Sequence, residues 1–284
     1  ERAYHLLLSD PEQGRILYRD LVISFQDNGL FSPWHTLKQY GLEHVHYMRI
    51  NLQDTALVWE SAGQFSSIHG KNQEAIERLS IAQTLYDQIG DLESSMRVLY
   101  SKAIYESLVG QSKESRTDLQ LAYGVALKKN NNLYAGHIMY RIAELSNFNG
   151  DPKSAYSQYK ESLERFETAG NYAMQARNLM FMAETSQLEN KEDRKQLYKK
   201  AIPLFEQGWI QYNDMASDDH GFSHATFMGG FASKDKVKLF SLFNVAIDEG
   251  DCLQSLGELE DFEEPQIVCY NKALLAYQKA IPLA

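Results

Sequence analysis

The chain of 284 residues has only two cysteines, Cys252 and Cys269, and no apolar run near the roughly 18 residues that a membrane span requires. Two cysteines exclude a disulfide framework and suit a reducing compartment, so we expect a cytoplasmic protein without a membrane partner. Positive charge is also scarce, because 28 lysines and arginines face 38 aspartates and glutamates, for a net charge of -10. This balance argues against nucleic acid as a partner, since nucleic acids favour basic faces.

Motifs for catalysis and cofactor binding are missing as well. The chain has no GxxxxGK[ST] loop, no GxGxxG, no GxSxG and no HExxH, so we expect neither enzyme activity nor a cofactor. His220 and His224 are the best metal candidates, because two histidines four residues apart share one face of a helix. Glycines at 221, 229 and 230 indicate a loop there, which favours a solvated insertion over a metal site.

What the sequence does contain is self-similarity with a period of forty residues. Small residues recur at Gly63, Ala103, Ala143 and Ala183, and turn residues recur at Gly70, Gly110, Gly150 and Asn190. A third row is Gly90, Asn130 and Gly170, each followed by Asp or Asn. Glycine and asparagine adopt the left-handed conformation that ends a helix, and the stretches between the rows carry apolar residues at helical spacing. A fixed period of this length predicts a repeat of two helices and two turns.

The order of these residues resembles the tetratricopeptide repeat (TPR) family. Its motif is matched by Trp59, Gly63, Gly70, Ala75, Leu79 and Ala82, and again by Met139, Ala143, Gly150, Ala155, Tyr159 and Ser162. The period exceeds the usual length of about 34 residues, as in kinesin light chain repeats and bacterial peptide sensors. The resemblance implies an all-α, right-handed superhelical solenoid of about six antiparallel helix pairs.

We expect a single solenoid over residues 1–284. The sequence predicts degenerate helices over 1–53, four regular repeats over 54–210, an irregular loop over 211–234 and a helix pair over 235–284. The heptapeptides YKKAIPL at 198–204 and YQKAIPL at 277–283 lie about two periods apart and support the last pair.

The resemblance also implies a binding groove, because the first helix of each TPR pair lines the concave side. The implied contact residues are Arg97, Tyr100, His137, Tyr140, Arg141, Glu144, Arg177, Met180, Phe181 and Glu184. Arginine and tyrosine are enriched at the energetic centres of interfaces, and arginine binds carboxylates well. We therefore expect a non-catalytic module that binds a peptide or partner-protein segment with acidic groups. Glu144 and Glu184 could instead neutralise the arginines within the groove.

Two other function classes stay open. The chain could be a ligand- or peptide-sensing regulatory segment of a larger signalling or transcription-regulating protein, or an enzyme that uses the insertion as its site. The leading interpretation treats Arg97 and Arg177 as surface cations, whose removal would weaken partner binding with little change in melting temperature. The sequence specifies no oligomeric state.

The register predicts where paired helices touch. If they approach closely at Ala143, the substitution Ala143→Leu overpacks the contact and should lower the free energy of unfolding by about 1–3 kcal/mol. Chemical denaturation followed by circular dichroism measures the change. Unaltered stability would mean that the helices do not meet at this row.

Overall fold

The structure, a computed structural model, describes residues 2–47, 49–185, 190–214, 234–260 and 263–283. Thirteen α-helices account for most of these residues, and no strand occurs among them. The helices are α1 (Arg2–Ser9), α2 (Pro11–Asp27), α3 (Phe31–His46), α4 (Leu52–Ile68), α5 (Asn72–Ile89), α6 (Leu92–Leu108), α7 (Ser112–Lys128), α8 (Asn132–Phe148), α9 (Pro152–Ala169), α10 (Tyr172–Glu184), α11 (Lys191–Asp214), α12 (Lys234–Leu259) and α13 (Glu263–Ala280). A 3-10 turn, Ile281–Leu283, follows α13. The prediction of an all-α chain built from consecutive helix pairs is confirmed. None of the helices in these ranges is both long and apolar enough to cross a membrane.

Two consecutive residues form the turn between one helix pair and the next. Gly90, Asn130 and Gly170 have φ angles of 73°, 52° and 68°, the left-handed conformation that ends a helix. The following residue then caps the next helix, because its side-chain oxygen accepts a hydrogen bond from the backbone N–H three positions on. These caps are Asp91 to Ser94 at 3.1 Å, Asn131 to Tyr134 at 3.1 Å and Asn171 to Met174 at 3.0 Å. The predicted turn residues therefore end one helix, and the residues after them cap the next.

Asn190 departs from the expectation for its row. Its backbone is not left-handed, and its side-chain oxygen accepts a hydrogen bond from the Glu192 N–H at 2.9 Å, directly before α11. It therefore acts at the start of a helix, whereas the glycines of its row have the left-handed backbone that follows the end of a helix. Residues 186–189, just before it, lie outside the described residues.

The irregular segment begins later than the sequence predicts. Helix α11 continues through residue 211 to Asp214, because apolar residues at helical spacing extend beyond the repeat itself. Residues 215–233 lie outside the described residues, and with them the metal candidates His220 and His224.

The chain divides into two compact units, with the division inside α7. The first unit is built mainly from residues up to Val125. In it, α2, α3 and α4 share a core around Tyr18, Trp34 and Val58. Helices α4, α5 and α6 share a second core, which contains Ala56, Leu79, Ala82, Tyr86 and Val98.

The second unit is built mainly from residues after Val125. Helices α8 to α11 contribute to a core around Ala143, Tyr159 and Phe166. A further core joins α10, α11 and α12 and contains Tyr198, Phe205 and Cys252. Leu253, Ala273 and Ala276 then pack α12 against α13.

Small residues inside helices mark close approaches between paired helices. A Cβ atom added at Gly63 would lie 2.9 Å from Cγ of Leu79, which confirms the interpretation that α4 and α5 touch there. Gly208 in α11 is tighter still, because its added Cβ would lie 2.8 Å from the backbone nitrogen of Ala173 in α10. Gly124 in α7 is the opposite case, since an added Cβ meets nothing within 4 Å.

Two glycine-to-alanine substitutions should therefore change stability in opposite directions. Gly208→Ala forces a methyl group against backbone and should lower the free energy of unfolding by about 1–3 kcal/mol, despite a helix-propensity gain of about 1 kcal/mol. Gly124→Ala adds a methyl group that meets no other atom, so only the gain in helix propensity applies. It should raise the free energy of unfolding by about 0.5–1 kcal/mol. Urea denaturation of both variants tests the pair, and equal shifts of the same sign would contradict the packing described.

Candidate partner-binding surface

Arg97 lies in a three-helix contact of the first unit. Its Nη2 donates to Oε2 of Glu60 at 2.9 Å, and the hydroxyl of Tyr86 donates to the same oxygen at 2.8 Å. The three residues come from α6, α4 and α5, and Glu60 is only 1% exposed. Burial, with the Glu60 carboxylate as a second cause, raises the pKa of Tyr86 well above its usual value. Tyr100, on the same helix as Arg97, is buried as well.

Arg177 has the equivalent role in the second unit. Its Nε donates to Oδ2 of Asp248 at 2.7 Å, which connects α10 to α12. Both side chains are largely buried, with exposed fractions of 17% and 16%. Burial raises the pKa of Asp248 above its usual value, although Arg177 opposes the shift. The Arg177 guanidinium therefore offsets part of the cost of burying this carboxyl group.

These two ion pairs change one expectation from the sequence. Arg97 and Arg177 connect neighbouring helices, so their removal must affect stability as well as any binding. The guanidinium groups are engaged by carboxylates of the same chain, which reduces the attraction they offer to an acidic partner.

Aromatic rings form a largely buried layer between α8, α9 and α10. Tyr140 and Phe181 lie 5.8 Å apart between ring centroids, and Phe181 stacks on Tyr159 at 5.7 Å with an interplanar angle of 14°. His137 meets Phe166 edge-on at 4.8 Å and is buried, as is Met180. Tyr140, His137 and Met180 thus contribute to the packing between these helices.

Phe181, a partly exposed ring of this layer, and three charged residues of α8 and α10 keep part of their side chains exposed. Nη1 of Arg141 donates to Oε2 of Glu144 at 2.6 Å, and these side chains are 28% and 32% exposed. Phe181 is half-buried, and Glu184 is exposed at the end of α10. We call Arg141, Glu144, Phe181 and Glu184 the α8–α10 surface. Partial desolvation, followed by the neighbouring carboxylates Asp251 and Asp248, raises the pKa of Glu184 to about 7.

The structure thus brings the eight predicted residues of α8 and α10 into one unit and keeps Arg97 and Tyr100 in the other. Sequence reasoning missed Asp248, the partner of Arg177, which lies 71 residues away and outside the regular repeats. The contact between Glu60 and Arg97 had a signal, since the two residues lie 37 positions apart, close to one period of the repeat. Within the described ranges no three histidine, cysteine, aspartate or glutamate side chains cluster as metal ligands.

Comparison with known proteins identifies the family. The model of the Suppressor of spindle checkpoint defect 1 C-terminal domain matches residues 63–238, more than half of the chain. The chain belongs to this family. The matched range of the Suppressor of spindle checkpoint defect 1 C-terminal domain contains all ten predicted contact residues and ends before Asp248. No curated protein matches the chain in sequence.

Solved structures similar to this member of the family are TPR-like repeat proteins. BtubC (BKLC) from P. vanneervenii is 10% identical, covers 89% of this chain and 91% of its own, and has a TM-score of 0.59. The apo form of RapI is 12% identical over 94% of this chain and 99% of its own, with a TM-score of 0.56. A Signal Transduction ATPase with Numerous Domains from Pyrococcus horikoshii, with a tetratricopeptide repeat sensor, is 14% identical with a TM-score of 0.59. It matches 97% of this chain, which spans 43% of its length. The TPR-like solenoid fold is thereby confirmed.

The ion pair between α10 and α12 gives a stability prediction. Arg177→Ala leaves Asp248 without its cation in a largely buried site and should lower the free energy of unfolding by about 3 kcal/mol. Adding Asp248→Asn removes the uncompensated charge and should recover part of the loss. Arg19→Ala, an exposed arginine on α2, is the control and should change stability by less than about 0.5 kcal/mol. Equal effects of Arg177→Ala and Arg19→Ala in urea denaturation would contradict the role given to the pair.

Proposed function

We propose that this chain is a non-catalytic interaction module whose α8–α10 surface binds a peptide or an extended segment of a partner protein. The observation that carries the proposal is the partly exposed Arg141–Glu144 pair, whose arginine lies over the ring of Tyr140 in a largely buried aromatic layer. Aromatic residues and arginine are enriched at protein–protein interfaces, and this surface offers both. The repeat fold supplies a rigid support for it, because each helix is held by its neighbours.

The distribution of charge suggests what the partner carries. Arg97 and Arg177 are held in largely buried ion pairs between helices, whereas Arg141 pairs with Glu144 on its own helix near solvent. Arg141 is therefore the predicted cation best placed to meet an acidic group. Glu184 is exposed beside Asp248 and Asp251, and a cation there would relieve the repulsion that helps to raise its pKa. We infer a partner segment with an apolar anchor over Phe181, an acidic group near Arg141 and a basic group near Glu184.

The name of the family links it to suppression of a spindle checkpoint defect. We infer from it that the partner segment belongs to a protein of that checkpoint. A sensor role, in which a bound peptide regulates a larger protein, is the second candidate. It is favoured by the structural likeness to a chain whose tetratricopeptide repeats are described as a sensor.

A charge exchange tests the surface without dismantling the fold. The double substitution Arg141→Glu and Glu144→Lys keeps an ion pair on α8 but reverses its direction, so stability should change by less than about 0.5 kcal/mol. Peptides selected from a random display library on the native chain should bind the variant at least about tenfold more weakly, the cost of one charge-assisted contact. Isothermal titration calorimetry measures both affinities.

The control exchanges two exposed charges on α9, with Lys160→Glu and Glu164→Lys. Peptide affinity should be the same for this variant and the native chain. Peptides that bind the Arg141–Glu144 variant and the native chain equally well would refute the assignment of the surface.

A further inference from the structure

Positive charge gathers at the turn between α4 and α5, residues 69–71, although the whole chain has a net charge of -10. Burial lowers the pKa of Lys38 in α3, and the charges of Arg78 in α5 and Lys71 in the turn lower it further. Glu74 of α5 opposes this shift, and it also pairs with Arg78 and Lys71. This carboxylate is therefore shared by three positive charges.

Lys38 is held beside the turn by an aromatic ring. The residue is 6% exposed, and its Nζ lies 4.2 Å from the ring centroid of Phe65 in the last turn of α4. Within the part of the chain that the structure describes, no carboxylate forms an ion pair with Lys38, and no acceptor hydrogen-bonds to its Nζ. A cation–π contact offsets part of the cost of burying an ammonium group, but it leaves the N–H donors without acceptors.

The other two cations differ in how their donors are used. Nη1 of Arg78 donates to the carbonyl oxygen of Ala62 at 3.0 Å and to Oγ of Ser66 at 2.6 Å, so its charge is fixed against α4. Nζ of Lys71 lies 3.9 Å from Glu74, and 68% of its side chain is exposed. An ion pair this long and exposed contributes little, so Lys71 can exchange Glu74 for another anion at small cost.

The backbone at the start of α5 adds donors that favour negative charge. Lys71 is the N-cap residue of α5 and makes no side-chain cap, whereas Asn51 caps α4 and Asp91 caps α6. The first N–H groups of a helix carry partial positive charge and bind phosphate groups. Lys38, more than nine-tenths buried on a neighbouring helix, is independent evidence for an anion at this turn.

A phosphate monoester suits this combination of donors better than a carboxylate does. It carries a charge of about -1.5 to -2 at neutral pH and three strong acceptor oxygens. The carboxylate of Glu74 leaves two of the three positive charges unbalanced, which is close to the charge that a phosphoryl group supplies.

Apolar surface beside the turn favours a phosphorylated protein segment over the free ion. Leu30, Phe31 and Ile68 are 42–44% exposed. Phe31 meets His69 edge-on at 5.5 Å between ring centroids, which brings the start of α3 to the end of α4. A peptide that places its phosphoryl group at the turn can therefore cover these side chains with the residues on either side.

We propose that the α4–α5 turn binds the phosphoryl group of a phosphorylated side chain in a partner protein. Lys38, Lys71 and the first backbone N–H groups of α5 donate to its oxygens, and Arg78 attracts it through a fixed charge. The site belongs to the first unit, so it does not rest on the function proposed for the α8–α10 surface of the second.

Degenerate peptides with a central phosphoserine test the proposal, with the same peptides carrying serine as the reference. Fluorescence anisotropy on the intact chain should show at least about tenfold tighter binding of the phosphoserine peptides, because phosphoryl oxygens accept charge-assisted hydrogen bonds. Inorganic phosphate should compete with these peptides, whereas chloride at the same ionic strength should not.

Three lysine variants locate the binding. Lys38→Met keeps an apolar stem on Phe65 and should weaken phosphoserine binding at least about tenfold, while the urea midpoint stays unchanged or rises because a buried cation is lost. A merely structural lysine would give the reverse pattern. Lys71→Met, on an exposed side chain, should weaken binding about threefold. Lys113→Met removes an exposed lysine of α7 in the same unit and should bind like the native chain.

Equal affinity for phosphoserine and serine peptides overturns the proposal, as does native affinity in both Lys38→Met and Lys71→Met. Weakening by Lys113→Met as large as that by Lys38→Met would mean that general charge attracts the peptides, which also overturns it. If Lys38→Met lowers the urea midpoint, Lys71→Met decides, because its exposed side chain does not support the fold. Protection of the native chain by inorganic phosphate without binding of phosphoserine peptides would show a site for the free ion and refute the peptide as its occupant.

Discussion

The close approach of paired helices at small side chains is the constraint on which the other features of this structure depend. Gly63 against Leu79 and Gly208 against Ala173 leave no room for an added methyl group. At Gly136 the ring of Phe166 fills the corresponding space, because an added Cβ would lie 2.9 Å from its Cε1. Because the spacing repeats every forty residues, the first helices of successive pairs become neighbours, and their side chains can then bridge one pair to the next.

The ion pairs of this structure are of two kinds, one that stabilises the fold and one that is open to a partner. The Glu60–Arg97 and Arg177–Asp248 contacts join different helices and lie largely out of water, so each partner needs the other. The Arg141–Glu144 contact joins residues on one helix near solvent, where an ion pair contributes little to folding. A partner can compete for the second kind of contact at small cost. This difference is the physical reason to place recognition on the α8–α10 surface.

Local features of the fold could be predicted from the sequence, and distant ones could not. Gly90 followed by Asp91 ends one helix and caps the next through contacts within four residues, so the pattern is visible in the sequence itself. The partner of Arg177 is Asp248, far along the chain and beyond the regular repeats, and periodicity holds no information about it. Periodicity also predicts which residues occupy groove positions. Only the tertiary contacts show which of these residues stabilise the fold and which are exposed.

A double-mutant cycle on Gly63 and Leu79 tests the close approach most directly. Gly63→Ala should destabilise the native chain, because the added methyl group meets Cγ of Leu79. In a chain that already carries Leu79→Ala, the space exists and the same substitution should cost less, with a coupling energy of about 1 kcal/mol or more. Additive effects of the two substitutions on the free energy of unfolding would contradict the account.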